Sequence, residues 1–192
     1  MMHSDRYGPY MGRAAEEKIR ETAELYREHP HEWIVPYAAL LFNSNKEEEL
    51  YALQPELLAY ARGVRAPPHQ EGMRDYISQA WLLVACFAHM SEREGITEKE
   101  RHSLLYEAQT LFGSAHIHAR LLASQQDLYL HCLLSLTGAY LQHLLGRKDA
   151  ARSLLDREVP ELAARLTDPA SKAYIQSERE KLVKDILGPH AS

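Results

Sequence analysis

Eleven histidines in a chain of 192 residues are the compositional feature with the most chemical content. An imidazole can ligate a metal, relay a proton or change charge near neutral pH, so the spacing of these residues decides what they can do. Asp127 and His131 stand four apart, which brings two metal-ligand types onto one helix face. Glu98 and His102 share that spacing, in a charged segment that is more simply solvated. Cys86 and His89, three apart, have the residue types of a nucleophilic pair, but no basic side chain stands near Cys86 in sequence to lower the pKa of its thiol. His116 and His118 flank Ile117 and cannot face the same point on a helix. His118 lies nearer the apolar face of Leu111, Ala115 and Leu122, which makes it the stronger candidate for a buried role. No His-Glu-x-x-His zinc motif, phosphate loop, dinucleotide fingerprint or nucleophile elbow occurs in the sequence.

These residues must be positioned by helices, and the stretch Asp127 to Leu145, DLYLHCLLSLTGAYLQHLL, is the one around which the others are organised. After Asp127 it carries no formal charge, in a chain that is 26% charged. On a wheel of 100° per residue, Asp127, His131, Ser135, Gly138 and Gln142 share one narrow strip, and nearly all the remaining circumference is apolar. A helix of that kind is surrounded by other helices and keeps a single polar seam. Asp127, His131, Gln142 and His143 make it too polar for a membrane span. Ser135 and Gln142 join His131, His118, His89 and Cys86 as the candidate ligand-binding residues. Asp127 with His131 is the candidate metal pair. Because Gly138 lets a neighbouring helix approach closely, the seam reads first as a packing contact and second as a site. No cofactor is expected.

The other elements follow from periodicity and punctuation. Ala15, Ile19, Ala23 and Tyr26 predict a surface helix from Arg13 that ends before His29-Pro30. HEWIVPYAALLF, from His31 to Phe42, predicts a helix that starts near Pro36 or is kinked there. Asn43-Ser44-Asn45 marks a turn, Ser44 with Glu47 forms a capping box, and Gln54-Pro55 restarts a helix that Gly63 stops. Val64 to Gly72, VRAPPHQEG, is the clearest linker. Beyond it, Tyr76 to Met90 is a second helix apolar almost all round. Thr97 and Glu100 form a capping box for a helix reaching towards Ala123, with a kink or a close helix contact expected at Gly113-Ser114. Ser124 caps the central helix and Gly146 ends it. Asp149 to Leu166 then continues a helical stripe at the cost of a kink or break at Pro160, and Asp168-Pro169 opens a last helix that Gly188-Pro189 stops. Met1 to Gly12 shows no periodicity and predicts a loose arm.

No stretch alternates as a strand does, so the fold class is all-α: an irregular multi-helix bundle or a short solenoid of antiparallel helical hairpins. The organisation read from the sequence is a helical extension over 1–63, a linker over 64–72 and a main core over 73–188, together one compact domain. LLGRKDAARSLL, from Leu144 to Leu155, resembles the turn of a tetratricopeptide repeat, with Gly146 closing one helix and Ala151 as the small packing residue of the next. The resemblance implies an antiparallel hairpin over 127–166.

A net charge of -5 and a pI near 6.1 disfavour nucleic-acid binding, which depends on a basic face. Arg147, Lys148, Arg152 and Arg157 form a local basic cluster that complements the end of the central helix or, through the first three, meets an acidic partner. Met1 to Met11 contains no apolar run of signal-peptide length, which points to the cytoplasm. Cys86 and Cys132, the only cysteines, sit in apolar helices and read as buried thiols. With long amphipathic helices and no catalytic constellation, the expected function is a non-enzymatic interaction or regulatory module. It would bind a protein segment or small ligand in a helical groove, or self-associate. The alternative is a metal- or cofactor-binding bundle, sensor or enzyme, built on the polar seam; it requires His131 to meet another histidine, His89 or His118, across the interior.

Overall fold

The computed structural model describes residues 13–122 and 124–188; the expectation for Met1 to Gly12 lies outside them. Among the described residues every regular element is helical. They divide into two compact units at Val64/Arg65.

In the first unit, α1 (Arg13–Glu28) packs on α2 (Pro30–Asn43), and α3 (Glu47–Ala52) and α4 (Gln54–Gly63) complete it. Helix α1 ends where His29-Pro30 requires, and Pro30 supplies the first turn of α2. Tyr26 stacks on Tyr37 across the pair at 5.4 Å. Helix α2 begins earlier than Pro36 and runs through it. The Ser44 capping box does not form: Asn45 takes a left-handed backbone (φ 54°), and α3 is capped by Lys46 with no side-chain hydrogen bond. The turn Asn43-Ser44-Asn45 thus consumes the residue that would have been the cap.

The second unit holds the two apolar helices. Helix α5 (Met73–Met90) packs along α6 (Glu98–Ala119), and α7 (Gln125–Leu144) lies against both. Helix α8 starts as Lys148–Ser153, passes through a π turn at Leu154–Glu158 and resumes as Val159–Ala164. Helix α9 (Pro169–Leu182) is extended by a second π turn, Val183–Leu187. Helix α7 touches α5, α6, α8 and α9, which explains why almost its whole circumference is apolar. The tight connection to α8 is closed by Gly146 in a left-handed conformation (φ 73°) with Arg147 N–H bonded to Gln142 O. No described helix is long and apolar enough to cross a membrane.

Local signals set most of the helix starts. Thr97 and Glu100 form the reciprocal capping box, and so do Ser124 and Asp127. Asp168 accepts from Ser171 N–H, with Pro169 at the first helical position. Helix α6 runs unbroken through Gly113-Ser114 and ends at Ala119. Side-chain hydrogen bonds then tie α5 to its neighbours: Tyr76 Oη donates to Ser114 Oγ at 2.7 Å, and Trp81 Nε1 donates to Thr137 Oγ1 at 3.0 Å.

At Pro160 the helix is distorted and not ended: the α turns give way to the π turn just before it and resume at Val159. Val159 N–H bonds to Leu154 O, five residues back. The Leu155 carbonyl would then need the N–H of residue 160, which proline lacks. The Arg179 guanidinium, reaching across from α9, donates to that carbonyl through Nε instead and holds Asp156 with Nη2 at 3.3 Å. A missing donor in α8 is replaced by a side chain of α9, and the wider turn changes the direction in which Glu158 leaves the helix.

Candidate metal centre

Three helices bring one carboxylate and two imidazoles to a point. Glu158 sits at the end of the π turn of α8, His131 on the seam of α7, and His116 near the end of α6. Glu158 Oε1 is hydrogen-bonded to His116 Nε2 and accepts from Ser135 Oγ at 2.7 Å. His131 Nε2 lies 3.5 Å from the same oxygen and makes no hydrogen bond, though it is buried. Ligand atoms of His116, His131 and Glu158 all fall within 4.8 Å of one another. The two imidazole rings meet edge to face at 5.5 Å. Arg120, one turn beyond His116, holds the other carboxylate oxygen through Nη2 at 3.2 Å.

Burial by itself would push the Glu158 carboxyl up. The His116 and His131 imidazoles and the Ser135 hydroxyl outweigh it and hold the group well below the usual carboxylate range. The centre therefore presents an ionised oxygen to two nitrogens, a donor set suited to zinc or to non-haem iron. Both Ser135 and Phe112 are buried behind it. The Phe112 ring stacks on His116 at 5.0 Å and 21°, and its far edge lies over Gly138, where a Cβ would be 2.1 Å from Cε2. Gly138 on the seam thus makes room for the aromatic ring that backs His116.

The seam is divided among partners. Gln142 Nε2 donates to Gln109 Oε1 at 2.7 Å. Asp127 is taken by Arg74 Nε at 2.7 Å and by the Ser124 backbone and hydroxyl, so it does not join His131. Burial raises the Asp127 carboxyl, and the Arg74 and Ser124 hydrogen bonds more than offset this, so its pKa is lowered. A carboxylate with a depressed folded pKa contributes stability that is complete above the unfolded value, about 3.9, and is lost as pH falls through the folded value. Urea unfolding at pH 6 and pH 3 should therefore show a smaller acid loss in Asp127→Asn than in the parent. Equal losses would remove Asp127 from the acid response.

His131 meets His116, while His118 and His89 lie elsewhere. His118 Nδ1 bonds to Ser114 O and its ring rests edge-on against Tyr76 at 6.0 Å. His89 is half-buried on α5. Cys86 and Cys132 are buried free thiols, each pushed up to about 12 by burial. Arg147 lines a shallow cleft between the end of α7 and the first half of α6, with Arg101, His102 and Tyr106; Lys148 and Arg152 are exposed. Sequence reasoning missed Glu158 and passed over His116. The available signals were Pro160, which implies a distorted turn beside Glu158, and the four-residue step from Phe112 to His116 along the buried side of α6.

Comparison of the chain with protein-family models, curated proteins and solved structures gives no match.

Proposed function

We propose that this chain is a metal-binding helical protein that holds a divalent transition-metal ion, of the zinc or iron type, between α6, α7 and α8. The observation that carries this reading is the convergence of His116, His131 and Glu158 within 4.8 Å, with the buried His131 nitrogen left without a hydrogen bond. A buried ring nitrogen that faces a carboxylate at 3.5 Å without a hydrogen bond is poorly satisfied, and a metal ion between the two would serve both. Two imidazoles and one carboxylate form a three-ligand set that leaves coordination positions open. Such a site suits a sensor or a catalyst better than a purely structural role.

The test is titration of tag-free protein with zinc, followed by calorimetry and thermal unfolding. One ion per chain is expected, with stabilisation of about 4 kcal/mol at a free zinc concentration near 1,000 times Kd. His131→Ala and Glu158→Gln should each weaken binding about 10-fold or more, while circular dichroism reports the retained helices. Binding that is absent in the parent, or unchanged in both folded variants, overturns the reading.

A second reading, an interaction module, draws on α6. Tyr106 and Ile117, together with Leu121 just past the helix, lie 63%, 66% and 64% exposed. With Thr110 and Gly113 between them, their spacing is that of one helix face, the kind of stripe on which a partner helix or a second copy packs. Ile117→Lys should then abolish a self-association or partner contact that light scattering detects in the parent protein. A monodisperse monomer that captures no helical partner would remove the support for this reading.

A further inference from the structure

We infer that the loaded centre takes a small oxyanion, carboxylate or phosphate, as its exogenous ligand, anchored jointly by the metal and by Arg120; this rests on the metal reading above. Charge bookkeeping points that way. A divalent ion held by two neutral imidazoles and one carboxylate keeps one net positive charge, and Arg120 adds a second at the same carboxylate. The nearby acid on α8, Asp156, is already paired with Arg179 at 3.3 Å. An uncharged ligand would leave this field uncompensated, whereas an oxyanion neutralises it.

The accessible side of the centre is also the cationic side. His131 is 6% exposed and Ser135 is fully buried, so the inner wall is closed. Arg120 is 62% exposed and reaches Glu158 Oε2 with Nη2 alone. Its planar fork can keep that contact and still offer N–H groups to a second acceptor, the geometry in which guanidinium recognises carboxylate and phosphate. An oxyanion that places one oxygen in an open coordination position and another on the guanidinium uses both groups at once.

The experiment is cobalt substitution of tag-free protein, with the visible d–d absorption of the bound cobalt read during titration with inorganic phosphate and, separately, with acetate. Either anion is expected to shift the spectrum saturably, and the comparison separates a phosphoryl ligand from a carboxylate one. In Arg120→Ala the anion affinity should fall roughly 10-fold or more, with one cobalt per chain still bound; Arg120→Lys should fall between the two. A cobalt spectrum that neither anion moves overturns the oxyanion inference and leaves the metal reading standing. An anion response equal in Arg120→Ala and parent overturns the role of Arg120. Failure of the parent to bind cobalt or zinc overturns the metal reading, and this inference with it.

Discussion

Gly138→Ala is expected to lower the unfolding free energy by about 2 to 3 kcal/mol, measured by urea denaturation at neutral pH. The sign matters as much as the size. At an unconstrained position inside a helix the same change gains about 1 kcal/mol, because alanine loses less backbone entropy than glycine. At position 138 the added methyl would stand 2.1 Å from Phe112 Cε2 and 2.3 Å from Cζ. Phe112 is buried and its ring lies against His116, so it cannot swing aside without displacing that imidazole. Shortening the ring in a Phe112→Ala background should remove the penalty and restore the ordinary gain, which a double-mutant cycle would register as strong coupling. The same substitution should weaken zinc binding although residue 138 touches no ligand atom, since it moves the ring behind His116. A Gly138→Ala protein as stable as its parent would show that Phe112 relaxes freely, and the packing account of the seam would fail.

Arg179→Ala is the second large effect, about 1 to 3 kcal/mol, because it leaves the buried Leu155 carbonyl without a donor. The cause is Pro160, so the cure is there too. Pro160→Ala restores an N–H to α8, and in the Arg179→Ala background it should recover most of the lost stability. Metal binding should move the other way. With the donor restored, the turn at Leu154–Glu158 can relax towards ordinary α-helix, which rotates Glu158 away from His116 and His131. The doubly substituted protein is thus expected to be stable yet to bind zinc more weakly than Arg179→Ala alone, as calorimetry would read. Recovery of both properties together would mean that the π turn has no part in aiming Glu158.

These two positions also mark where sequence reasoning reaches and where it stops. Helix boundaries follow from side chains acting on their own backbone: the capping boxes at Thr97/Glu100 and Ser124/Asp127, the Asp168-Pro169 start and the Gly146 stop all form between residues a few positions apart. At Asn43-Ser44-Asn45 the two local signals compete for Ser44: the turn forms and the capping box with Glu47 does not. The burial of α5 and α7 was equally legible, because a helix without a charged face has to be enclosed. For the same reason the strip from Asp127 to Gln142 could be singled out as the polar part of α7.

What lies opposite each residue of that strip was decided only by the tertiary structure. Asp127 finds Arg74, Gln142 finds Gln109, Gly138 receives Phe112, and His131 and Ser135 meet Glu158 and His116. Those partners stand between 15 (His116 to His131) and 53 (Arg74 to Asp127) residues away, and no spacing rule within one helix reaches them. Glu158 was the least legible of all. Its direction depends on a π turn, the turn on the missing N–H of Pro160, and the tolerance of that turn on Arg179 from another helix. By itself the sequence determined an all-α chain with two enclosed helices and one polar seam, because those properties are set by periodicity and capping. The convergence of two histidines and a glutamate on that seam was decided by how three helices pack, since only packing brings together groups that the chain holds apart.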